Sequence, residues 1–163
     1  MVEMNPGEHE FVDRMGLVME RFGGQRTMGR VYGWLLICDP PDQSLTELAA
    51  VLGVSKTSIS TVARQLEEAG MIERFPTRHR QHRYRFTQGG WTRVLRTQLP
   101  PAQLSVEALE LGLSALGEDR AEQRARLTES RDFFAFILQD TEEMIRRWER
   151  YRARQRKSGR SGR

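Results

Sequence analysis

The stretch that most constrains the fold is "SLTELAAVLGVSKTSISTVARQLEEAG", residues 44 to 70. It contains two helical segments, each opened by a serine and closed by a glycine. Ser44 stands three residues before Glu47, the spacing of a capping box, in which the side chain of each residue accepts from the backbone N–H of the other. The segment "LTELAAVL" then ends at Gly53, and only Val54 separates it from the next capping residue, Ser55. In the second segment Ile59, Val62, Ala63 and Leu66 fall on one face at helical spacing and Gly70 closes it. Neither helix can bury its apolar face alone. Two short helices joined by so tight a turn must cross and pack, so Ser44–Leu52 and Ser55–Ala69 predict a helix-turn-helix.

The second helix has an unusual composition. Ser55, Thr57, Ser58, Ser60 and Thr61 place five hydroxyls in its first half, although serine and threonine are mediocre helix formers. A helix whose N-terminus enters the major groove of DNA, about 12 Å wide, needs short side chains there so that its backbone can approach the base edges. Hydroxyls can bond bases or phosphates, and the free N–H groups of a helix N-terminus favour phosphate. With the inward face committed, Lys56, Thr57, Ser58, Ser60, Thr61 and Arg64 remain available. Ser55 is read first as a cap and also as a member of the DNA-contacting group. The plainer alternative makes these residues caps and surface filler.

After Gly70 the period changes. Residues 71–75 and 82–87 read as two short strands around a polar loop, Pro76 to Gln81, which forms a hairpin. The sequence "TRHRQHRYR" puts Arg78 and Arg80 at its tip and Arg83 and Arg85 on the return strand. A basic hairpin after a helix-turn-helix is a wing, and an arginine at its tip suits the minor groove. Arg78, Arg80 and Arg83 therefore join the candidate DNA contacts. The charge distribution agrees. Residues 1–52 carry 4 basic and 8 acidic side chains, 53–98 carry 9 and 3, 99–145 carry 4 and 10, and 146–163 carry 9 and 1. A basic segment in the middle of the chain predicts a surface for a polyanion, with a solvated face as the bland alternative.

The remaining elements are helical. Phe11, Met15, Val18, Met19 and Phe22 predict a helix over 8–22, stopped by Gly23-Gly24. A second runs from about Thr27 to Cys38, with Val31, Trp34, Leu35 and Cys38 on one side, and the Asp-Pro-Pro-Asp run at 39–42 stops it. Residues 90–99 predict a helix ended by Pro100-Pro101, followed by one over Leu104–Leu116 and a long one over about Asp119–Arg154. Leu127, Phe134, Ile137, Leu138, Thr141, Ile145 and Trp148 line one side of the last, a pattern that packs on other helices, often on a partner chain. The basic end has almost no apolar side chain and predicts disorder. The fold class is mainly α with a small β-hairpin wing: a winged helix-turn-helix plus a helical dimerisation region. The expected domains are an N-terminal helix contributing to dimerisation (1–26), a winged DNA-binding domain (27–98), a C-terminal helical dimerisation region (99–154) and a basic tail (155–163). The tail adds non-specific DNA attraction in one reading and solubility in the other.

The same residues limit the function classes. No apolar run reaches the roughly 20 residues that span a bilayer. The start, "MVEMNPGEHEF", lacks the apolar core of a secretory signal, and the lone Cys38 fits a reducing cytoplasm. His79 and His82 have no metal-site spacing around them, so no metal and no cofactor is expected. The acids are scattered and there is no phosphate-binding glycine loop, which argues against an enzyme. Phe11, Met15, Met19, Trp34, Phe134 and Phe136 supply flexible and aromatic apolar surface. They read primarily as dimer core and secondarily as the lining of an effector pocket. Cys38 shares the apolar face of Trp34 and Leu35, which predicts a buried, inert thiol over an oxidant sensor.

The stretch "GRVYGWLLICDPPDQSLTELAAVLGVSKTSISTVARQLEEAGMIERF" resembles the MarR-type winged-helix regulators, and most of all their GbsR-like branch. The run "GRVYGWLLICDP" is its most specific part. The resemblance takes in "FVDRMG" near the start and the long last helix, and is nearest to actinobacterial members that regulate efflux or lipid-export transporters. It implies a homodimer, two winged lobes on a pseudo-palindromic operator in double-stranded DNA, and repression relieved by a small lipophilic effector. Carried over by position, it assigns Ser55 to Ser60 and Arg64 to the recognition helix and Arg80 to the wing. The family wing carries Gly-Asp ahead of that arginine, where this chain has Arg78-His79. Two other functions stay open: a winged helix serving as a protein-interaction module, and a DNA-binding protein of architectural role without a sensor. The first would want an apolar, weakly charged second helix.

Overall fold

The computed structural model describes residues 3–76, 82–97 and 99–160. They form seven helices and three strands: α1 (Pro6–Arg21), α2 (Arg26–Ile37), β1 (Asp42–Ser44), α3 (Leu45–Leu52), α4 (Lys56–Glu68), β2 (Ile72–Pro76), β3 (His82–Phe86), α5 (Gly90–Arg96), α6 (Leu99–Ala115) and α7 (Ala121–Arg160). They divide into two compact units, Met1–Val94 and Leu95–Arg163.

In the first unit α1 opens on a capping box, with the Asn5 side chain accepting from Gly7 and Glu8 N–H and Glu8 accepting from Asn5 N–H. Pro6 sits at the first helical position, where its missing N–H costs nothing. α1 and α2 approach at backbone distance, because Gly16, Gly29 and Gly33 leave no side chain between them. The expected N-terminal helix therefore packs within the same unit as the helix-turn-helix. Val12 and Met19 from α1 join Val31, Tyr32, Trp34 and Leu35 from α2, Leu48 and Leu52 from α3, and Ile59, Val62, Ala63 and Leu66 from α4 in one core. Each of the larger side chains contributes roughly 1.5–3 kcal/mol on burial.

α3 begins as its capping box predicts, with Ser44 Oγ accepting from Glu47 N–H at 3.2 Å and Glu47 Oε2 accepting from Ser44 N–H at 2.6 Å. Gly53 and Gly70 take φ of +63° and +67°, the left-handed conformation that a helix ending in a tight turn requires. The sheet has three strands in the order β1-β3-β2, all antiparallel. The register pairs Ile72 with Phe86 and Arg74 with Tyr84 across the hairpin, and Asp42 with Arg85 and Ser44 with Arg83 on the other side.

Several boundaries differ from the sequence expectation. β1 was not expected: it is three polar residues, "DQS", too short to show a period. Pro100-Pro101 do not mark a break. They lie in the first turn of α6, which starts at Leu99, where unbonded N–H positions tolerate proline. α5 ends at Arg96 instead of residue 99. α7 continues to Arg160, so residues 155–160, expected to be disordered, extend the helix; residues 161–163 lie outside the described ones.

In the second unit α6 and α7 form an antiparallel helical hairpin. Arg124 of α7 caps α6 by donating to the Leu113 and Leu116 carbonyls at 2.7 and 2.8 Å. Leu127 packs over Gly112, and Arg96 pairs with Glu149 at 2.7 Å. A second apolar stripe of α7 stays uncovered: Phe133, Met144, Trp148 and Tyr151 are all exposed. No helix among the described residues is long and apolar enough to cross a membrane.

Candidate nucleic-acid interface

The helix predicted to enter a groove is held by its inner face. Ile59, Val62, Ala63 and Leu66 are at most 1% exposed, which fixes the opposite face outward. On that face Lys56, Thr57, Ser60, Thr61 and Arg64, together with Leu45 of α3, line an open groove of about 390 Å³. Five of the residues expected from sequence are thus brought onto one concave surface. Leu45 was not among them. Its place was legible in outline, because the capping box fixes it as the first residue of α3, beside the crossing helix.

The hydroxyls are not equivalent. Ser55 Oγ caps α4, accepting from Ser58 N–H at 3.2 Å, and lies 2.9 Å from Ser58 Oγ. Thr61 Oγ1 donates back to the Thr57 carbonyl at 3.1 Å, the in-helix bond that threonine commonly makes. Ser55, Ser58 and Thr61 therefore already hold partners within the helix. Lys56, the Thr57 and Ser60 hydroxyls and Arg64 make no such bond among the described residues and face the groove. This arrangement suits a polyanion: two cations and two free hydroxyls on a concave strip beside a helix N-terminus.

The wing divides in the same way. Arg78, Arg80 and His79 lie outside the described residues. Arg83, expected to touch DNA, is engaged by acceptors of the protein itself. Its Nε donates to Asp42 Oδ2, its Nη2 to the Asp42 carbonyl at 2.7 Å, and its Nη1 lies 3.1 Å from Glu47 Oε2. Its side chain is 20% exposed. The cause is register: β3 runs beside β1, which places Arg83 opposite Ser44, next to the start of α3. Burial pushes the Glu47 carboxyl up, but the Ser44 N–H, the Ser44 hydroxyl and the Arg83 guanidinium outweigh it and hold Glu47 below the usual carboxylate range. Arg85 pairs with Glu73 and lies 5.0 Å over the Phe75 ring.

The expected effector residues differ in burial. Met19 and Trp34 are core side chains at 5% and 2% exposure. Phe11 and Met15 are half-buried against that core. Phe134 and Phe136 belong to the other compact unit, the first half-buried and the second 65% exposed. Cys38 is buried, and burial pushes its thiol up to about 11. Among the described residues no group of three or more His, Cys, Asp or Glu is placed to hold a metal ion.

A helix-turn-helix followed by an antiparallel hairpin, with a short third strand bracing the hairpin, defines a winged-helix protein of the DNA-binding regulator class. Residues 35–78 match the model of the MarR family, and residues 89–151 match that of the MmpR5-like MarR family transcriptional regulators. The chain is 36% identical over 133 residues to the HTH-type transcriptional regulator MmpR5 of Mycobacterium tuberculosis (strain ATCC 25618 / H37Rv), with 81% of each chain covered. It also superposes with a TM-score of 0.71 and 34% identity on a crystal structure of a transcriptional regulator, covering 89% of this chain and 99% of that one. The chain belongs to the MarR family of transcriptional regulators.

Proposed function

We propose that the protein acts as a homodimer on a pseudo-palindromic duplex operator, with α4 in the major groove and the hairpin beside the minor groove, and that it represses the genes it controls. The observation that carries this reading is the groove of Lys56, Thr57, Ser60, Thr61 and Arg64 on the outward face of a helix whose other side is fixed in the core. Basic and hydroxylated, it is unlike the apolar second helix that a protein-interaction module would want. The dimer is supported by the uncovered stripe on α7, whose exposed aromatics favour contact with another apolar surface over water. A small lipophilic effector releases the complex in the same reading. Of the residues expected to receive it, Met19 and Trp34 are committed to the core of the first unit, where Phe11 and Met15 keep some apolar surface available; taken by itself, the second unit offers Phe134 and Phe136. Control of a membrane transporter is the regulatory output that this reading favours.

Affinity for duplex DNA across a salt series tests it. A linear fall of log K with log[salt], with a slope of about −0.9 for each phosphate neutralised, is expected. Binding that ignores salt, or no binding to any duplex, overturns it.

A further inference from the structure

Arg83 belongs by its charge and position to the basic hairpin, yet three protein acceptors surround it. Two come from Asp42, which is a β1 residue and therefore tied to β3 by the sheet. The third is the Glu47 carboxylate, which also closes the capping box of α3 by accepting from Ser44 N–H. One guanidinium thus connects the return strand of the wing, the bracing strand, and the first turn of the helix that contributes Leu45 to the groove wall. A planar guanidinium is suited to this, because its fixed fork of donors specifies orientation as well as distance.

We propose that Arg83 is a positioning residue and not a DNA contact: with Asp42 and Glu47 it forms a strut that sets the angle of the wing against the helix-turn-helix. The inference rests on the DNA-binding reading above. Asp42 and Glu47 are acids beside a surface for a polyanion, and removing an acid there should strengthen binding if charge alone mattered. If the strut matters, removing Asp42 weakens binding.

The experiment compares wild type, Arg83→Ala, Asp42→Asn and the exchanged pair Asp42→Arg/Arg83→Asp, all as full chains, on a duplex selected by the wild type. Affinity is read across a salt series. Both single variants are expected to lose about tenfold in affinity with the salt slope unchanged, and the exchanged pair to recover most of the loss. A slope reduced by about 0.9 in Arg83→Ala, together with tighter binding by Asp42→Asn, overturns the proposal and makes Arg83 a phosphate contact. Hydrogen exchange of the β3 amides reads the strut without DNA. Protection in β3 is expected to fall in Asp42→Asn while that of α4 persists, and unchanged protection overturns the proposal. If the wild type itself binds no duplex, the DNA reading fails, and hydrogen exchange still decides the strut.

Discussion

Gly29 of α2 lies against Met15 of α1 so closely that a Cβ at Gly29 would overlap the Met15 carbonyl oxygen and come within 2.8 Å of Gly16 Cα. The obstacle is backbone, which cannot swing aside as a side chain can. Gly29→Ala is therefore expected to force the two helices apart at a cost of about 1–3 kcal/mol. The midpoint of denaturant unfolding measures it, and an unshifted midpoint shows that the helices do not pack this way.

The groove residues should separate by role. Lys56→Ala and Arg64→Ala are each expected to lower the salt slope by about 0.9 if they meet phosphate, or to relax base preference at one position by about 1–3 kcal/mol if they meet a base. Ser58→Ala and Thr61→Ala remove hydroxyls already bonded within α4, so they should leave the preferred sequence unchanged. Selection of preferred duplexes by each variant distinguishes these results. Altered preference in Thr61→Ala but not in Arg64→Ala would reverse the assignment.

Glu47 supplies a pH dependence. Its carboxyl is held below its ordinary value of 4.5, so the unfolded chain binds a proton more readily than the folded one. Its contribution to stability is therefore complete above the unfolded value and is lost as pH falls through the folded one. Glu47→Gln should lower stability near neutral pH and flatten the loss of stability below pH of about 4.5. Acid titration of the unfolding midpoint in both proteins is the check, and parallel curves would remove Glu47 from the account.

Cys38 should behave as an inert thiol. With its pKa pushed up to about 11 by burial, almost none of it is thiolate at neutral pH. Reaction with a thiol reagent at pH 8 is expected to be at least about a hundredfold slower in the native protein than after unfolding. Fast native modification with loss of DNA binding would make it a sensor.

The uncovered stripe of α7 gives a test of assembly. Met144 is 39% exposed and Phe133 59% exposed in the single chain. Met144→Glu/Phe133→Glu is expected to shift the sedimenting species from dimer to monomer with the helix content kept. A dimer that persists would place the interface elsewhere.

The parts of the fold visible in sequence are those decided by near neighbours. Ser44 with Glu47, Ser55 with Ser58, and the left-handed Gly53 and Gly70 are local arrangements, so spacing alone located α3, α4 and their turn. The face of α4 was legible for the same reason, because Ile59, Val62, Ala63 and Leu66 repeat at the helical period. β1 was not legible: Asp42, Gln43 and Ser44 become a strand only through pairing with residues some forty positions away. The ion pairs of Arg83 were not legible either, because its sequence neighbourhood is basic while the acids that engage it come from that distant strand and helix. Pro100-Pro101 read as a stop, since a proline pair cannot tell by itself which side of it the helix occupies.

The most direct test of the central claim is selection of duplex DNA from a random pool by the purified protein at moderate salt. Enrichment of two-fold symmetric sites, with half-sites about one helical turn (roughly 10 base pairs) apart, is the expected result. Arg64→Ala or Lys56→Ala changes what is enriched where the side chain meets a base edge, and lowers only the salt slope where it meets phosphate. Retention of DNA with no enriched sequence would contradict the claim that the groove of α4 reads an operator.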